Sequence, residues 1–192
     1  MRYPLLIAGL ALLVGALFLA GLTVGPAGIG VADGLEALVL GGEENAATVL
    51  VMREIRLPRA ILGVLVGASL GLSGAALQGY LRNPLAEPGL IGVSGAAAAT
   101  AVIAIYTGAS AAFQLALPLM ALAGAVLAVL LLMALAGGRG GALTLILAGI
   151  ALSSLASALT SLALNLSPNP FAALEIVFWM MGSLADRSMT HV

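Results

Sequence analysis

The chain has 192 residues, 62% hydrophobic and 8% charged, with a net charge of −1 and a mean hydropathy of +1.19. A soluble domain carries roughly 25% charged residues, so this composition cannot cover a water-facing surface, and its few basic residues exclude a nucleic-acid partner. There is no cysteine for a disulfide or thiolate metal site and no lysine for a Walker A loop, which uses Lys to reach the phosphates.

Crossing the hydrocarbon core takes about 20 apolar residues. Five segments meet that need: Leu5–Val24, Ile61–Leu81, Leu90–Thr107, Phe113–Leu135 and Leu143–Leu164. The first follows Arg2 and runs uncharged to Asp33, too long for a signal sequence, so it reads as a retained span. A sixth stretch, Phe171–Leu184, is interrupted by Glu175 and reads as a short helix in the membrane interface. The expected fold class is therefore an all-α membrane protein, a multi-span helical bundle in a lipid bilayer, with residues 1–192 in one transmembrane domain. An inside N-terminus puts Arg2, Arg82 and Arg139 on the cytoplasmic side, as the positive-inside rule asks. Arg53, Arg56, Arg59 and Arg187 then lie outside, against the rule, among Asp33, Glu36, Glu43, Glu44, Glu54, Glu175 and Asp186. The chain stops just after a surface segment, which reads as the first part of something longer.

The second span carries Gly63, Gly67, Gly71, Ala75 and Gly79, one every fourth residue. Such a small-residue stripe lets neighbouring backbones approach where dispersion drives association, which predicts an interior helix packed on several sides. Gln78 would be unsatisfied against lipid and should face protein or a water-filled path. The span is expected to begin at Pro58, a residue suited to a first helical turn. Arg53, Arg56 and Arg59 then sit at a helix N-terminus, where the dipole disfavours cations. Two local penalties point to an external partner bearing carboxylates, which arginine binds bidentately. The alternative is snorkelling arginines paired with Glu54, Glu43 or Glu44.

Asn83-Pro84 and Glu87-Pro88 form a stiff elbow before the third span, and 137–141 is a glycine-rich loop suited to a moving gate. In the fifth span Gly149, Ser153, Ser157, Ser161 and Asn165 repeat every fourth residue on one face. Those hydroxyls either line a translocation path or bond their own i−4 carbonyls.

Arg56–Arg59 (R-L-P-R), Ser73–Gln78 (S-G-A-x-x-Q) and Arg82–Gly92 (R-N-P-L-A-x-P-x-x-I-G) together resemble the FecCD/BtuC family. These are permease subunits of binding-protein-dependent ABC importers for iron-siderophore complexes, haem and cobalamin. Gly92–Ala96, Leu147–Gly149 and Phe178–Leu184 extend the likeness. The resemblance implies a multi-pass inner-membrane subunit that homodimerises on separate ATP-binding subunits and receives a periplasmic substrate-binding protein. It has no cofactor of its own and is not itself an enzyme. The resemblance also implies that Arg56 and Arg59, with Arg53 beside them, meet carboxylates on the binding protein. It places the inner gate at Leu85, Ala142 and Leu143, although the family often has small hydroxyl residues where this chain has the latter two. Family members have about twice as many spans, about ten against five here, which implies a truncated chain. Two other readings compete: an ATP-independent transporter or channel subunit, and a non-transporting membrane fragment. Ion coupling calls for carboxylates in the membrane, and none lies inside the five spans.

Overall fold

The computed structural model describes residues 3–41, 46–113, 115–137, 141–167 and 169–192, which form helices and turns and no strand. In chain order these are α1 (Tyr3–Thr23), α2 (Val31–Val39), α3 (Ala46–Leu50), a π-helical turn (Val51–Arg56) and α4 (Leu57–Leu81). A 3-10 turn (Pro88–Ile91), α5 (Val93–Tyr106), α6 (Ala109–Ala112), α7 (Ala116–Ala136), α8 (Ala142–Asn165) and α9 (Pro170–Met181) follow, and a 3-10 turn at Met189–His191 comes last. The chain divides into two compact units, residues 1–69 with 184–192, and residues 70–183.

In the first unit, Leu22 of α1, Ala37 of α2 and Met52 of the π-turn form a buried cluster flanked by Phe18, Val49, Leu57 and Ala60. Met52 is fully buried, and Gly34 admits its thioether, since a Cβ there would lie 3.3 Å from the Met52 methyl. In the second unit α5 is the central element, packed by α7, α8 and α9. Its Val102 and Ile105 join Ile176 of α9 in one core. Ala128 and Leu132 of α7 meet Leu152 of α8 in another.

Two crossings in this unit are set by glycine. A Cβ on Gly149 of α8 would lie 2.7 Å from the Ile91 Cα, and one on Gly92 would lie 2.7 Å from the Gly149 carbonyl. Gly92 has φ +74, so it supplies both the left-handed turn and the missing side chain. A Cβ on Gly124 of α7 would lie 2.8 Å from the Ala96 carbonyl and would also collide with Thr100. Thr100 donates across this seam to the Met120 carbonyl at 2.8 Å.

Two expectations are corrected here. Among the described residues four helical stretches, not five, are long and apolar enough to cross a membrane on their own: α1, the continuous helix Ala46–Leu81, α7 and α8. The third expected span begins at Val93 because a 3-10 turn and left-handed Gly92 consume its first residues. The remaining α5 has 14 residues, about 21 Å at the usual rise against a core of about 30 Å. Second, Pro58 does not start a helix. The Leu57 amide donates to the Met52 carbonyl, five residues back, so the ladder is already displaced where proline has no N–H to give. The neighbours expected on several sides of α4 are not found among the described residues. Gly67, Gly71 and Gly79 meet nothing within 4 Å, and Gly63 reaches only Leu184 Cδ1, at 4.0 Å. Instead Gly63 and Gly67 line an apolar groove of about 570 Å³ with Val14, Phe18 and Gly21 of α1.

Candidate functional site

Three sets of residues carry the candidate chemistry. The first lies in and after the π-turn. Arg56 is 8% exposed, and its Nη1 donates to the Leu22 carbonyl at 2.9 Å and the Thr23 carbonyl at 3.0 Å. These are among the last carbonyls of α1, which lack partners inside their own helix and carry the negative end of its dipole. Arg53 does the same for α2, its Nε and Nη2 both donating to the Leu38 carbonyl at 3.2 and 3.0 Å. Each guanidinium sits by a glycine just past the helix it caps. A Cβ on Gly25 would lie 2.8 Å from Arg56 Nη2, and one on Gly41 would lie 3.3 Å from Arg53 Nη2. Arg59 on α4 is exposed and bonds no described residue.

The three arginines therefore do not form one free cationic patch. The helix-start penalty expected for them does not arise either, because the helix runs on from Ala46. Of the carboxylates named as partners, Glu54 is exposed, while Glu43 and Glu44 lie outside the described residues. Nothing in the sequence marked Leu22, Thr23 or Gly25 as arginine partners, because the contact closes over more than thirty positions.

The second set is the α8 face. Gly149 is buried and Ser153 half-buried, while Ser157, Ser161 and Asn165 are exposed. Ser153 Oγ stands beside Gly92, where a Cβ would lie 2.9 Å away, so this end of the stripe is a packing seam. Ser157 and Ser161 make no side-chain hydrogen bond among the described residues, and the i−4 back-bond falls on Ser154 instead, to Ile150 at 2.9 Å. Asn165 Nδ2 donates to the Ser161 carbonyl at 2.8 Å. Gln78, on α4, is exposed, and no described group bonds its amide.

The third set is the elbow. α4 ends with Arg82 at φ 48, and the Arg82 and Asn83 amides turn back to the Gly79 and Gln78 carbonyls at 3.4 and 3.1 Å. This is the paired closure of a left-handed helix cap, made here without glycine. Asn83 Oδ1 accepts from the Leu85 amide at 2.9 Å, which leaves Leu85 81% exposed while Ala86 is buried. Ala142 and Leu143 open α8 and are exposed. Arg139, in the loop before them, lies outside the described residues.

These features describe an apolar, all-helical chain of the membrane-spanning class, with close glycine crossings and a proline elbow. Its family is specific: the model of the FecCD transport family matches residues 11–192, and the chain belongs to that family. It is 39% identical over 153 residues to the ferric enterobactin transport system permease protein FepD of Escherichia coli K12, covering 77% of this chain and 44% of FepD. It is 40% identical over 129 residues to the vitamin B12 import system permease protein BtuC of Salmonella paratyphi A, covering 67% of this chain and 39% of BtuC. A solved metal-chelate type ABC transporter in an inward-facing conformation matches with a TM-score of 0.80 and 33% identity, over 98% of this chain and 56% of that one. The chain thus spans less than half the length of these two curated relatives.

Proposed function

We propose that the chain supplies part of the transmembrane permease domain of a binding-protein-dependent ABC importer in the inner membrane, carrying an iron chelate or cobalamin. The family match over residues 11–192 carries this reading. In it, ATP is hydrolysed on separate ATP-binding subunits, the permease forms a homodimer, and a periplasmic substrate-binding protein delivers the cargo. Ser157, Ser161, Asn165 and Gln78 line the translocation path, because exposed polar groups on apolar helices need water or substrate as partners. Leu85, Ala142 and Leu143 form the inner gate, and the open stripe of Gly63, Gly67, Gly71 and Gly79 receives neighbouring helices. Docking falls first to Arg59, the exposed cation.

The test is uptake into proteoliposomes holding the complete importer, with labelled ferric siderophore and cobalamin offered in turn. One of the two should accumulate only when ATP and the binding protein are both supplied. Uptake that ignores ATP would favour an ATP-independent channel, and no uptake of either cargo would remove ferric siderophore and cobalamin as substrates.

A further inference from the structure

Among the described residues, Arg56 is held on one side and unmet on the other. Nη1 has two carbonyls, while the buried Nη2 has no hydrogen-bond partner among the described residues. A buried donor left unpaired on a charged group is a standing cost that any well-placed acceptor would relieve. Carboxylate is the acceptor whose two oxygens match two parallel N–H groups on one edge of the guanidinium, and such a charge-assisted pair is stronger than bonds to neutral carbonyls. Exposed Arg59 follows Arg56 by three residues, a spacing that makes helical side chains neighbours. An acidic surface drawn to Arg59 therefore arrives within reach of Arg56.

We propose that Arg56 is a latch: seated on the end of α1 in the undocked protein, it is exchanged on docking for a carboxylate of the substrate-binding protein, which frees the last turn of α1. This rests on the docking reading above. Gly25 is the positioning residue of the latch. Its missing side chain is the slot that Nη2 occupies, with only 2.8 Å to the place a Cβ would take. Seating Arg56 lowers the population able to dock, and apparent affinity falls by the competent fraction. Gly25→Ala disfavours the seated arrangement and should strengthen docking, by about tenfold if about nine-tenths of molecules are latched.

The experiment uses the complete importer in nanodiscs and its own purified binding protein, with affinity and amide hydrogen exchange at residues 22–25 as readouts. In the native sequence, adding the binding protein should accelerate exchange there, where the Val24 amide now bonds Ala20 at 2.8 Å. In Arg56→Gln, exchange should already be fast and should no longer respond. Exchange at 22–25 that stays unchanged or slows on docking overturns the latch, whether or not the Gly25 variant folds. If Arg59→Glu weakens docking while Gly25→Ala leaves it unchanged or weaker, the latch alone fails. If Arg59→Glu has no effect at low salt, the docking reading fails and the latch with it.

Discussion

Arg82 holds a left-handed backbone angle that L-residues adopt at a cost of about 1–2 kcal/mol. Its charge partly offsets that cost, because a cation at a helix C-terminus contributes about 0.3–1 kcal/mol. Two substitutions separate the effects. Arg82→Ala removes the charge and keeps the backbone penalty, whereas Arg82→Gly removes both. We expect the Gly variant to be more stable than the Ala variant by about 1 kcal/mol in detergent unfolding. The reverse order, which helix propensity alone would give, would remove the left-handed cap from the end of α4. The elbow was legible as an elbow from Asn83-Pro84 and Glu87-Pro88, because proline restricts its neighbours locally. The strained residue itself was not, since arginine carries no local preference for that angle.

At the scale of elements, the seams that hold the second unit together lie on other residues than the sequence favoured. The period-four stripe of α4 drew attention as a packing face, yet the close approaches fall at Gly124 and at Gly92 against Gly149. The reason is geometric. A small-residue stripe states that a helix can be approached, and only the partner's placement states that it is. Gly124 is a lone glycine in a leucine- and alanine-rich run and gives no periodic signal. In a bilayer, such seams depend on dispersion and interhelical hydrogen bonds rather than water exclusion. Gly124→Ala must push against the Ala96 backbone and displace Thr100 from its bond to Met120. Overpacking of this kind costs about 1–3 kcal/mol, and a bond of the Thr100 type about 0.6 kcal/mol. A melting temperature in detergent unchanged by Gly124→Ala would mean that α5 and α7 do not cross there. Gly67→Leu, by contrast, enters open space within the described residues. Its effect should appear only in the complete importer, where the groove beside α1 has a neighbour.

At the scale of the whole molecule, all-helical membrane architecture followed from composition, while the exact spans did not, because apolar run length does not reveal where a 3-10 turn or π-turn interrupts the helix. The arginines bear on orientation. Arg53 and Arg56 were two of the four cations standing against the positive-inside rule, and both are now seen bonded to helix ends inside the first unit. Among described residues, Arg59 remains on that side with Asp33, Glu36 and Glu54. Arg82 stands at the other end of α4. We therefore expect Glu36 to face the periplasm and Leu85 the cytoplasm. Both residues are exposed, and α4 lies between them, so the short α5 does not affect the result. The sequence has no cysteine, so single Glu36→Cys and Leu85→Cys variants report without background. In intact spheroplasts a membrane-impermeant thiol reagent should label the Glu36 variant at once and the Leu85 variant only after permeabilisation. Equal labelling from outside would mean that α4 does not cross the membrane. Reversed labelling would turn the molecule over and put the latch and its docking partner on the wrong side for import.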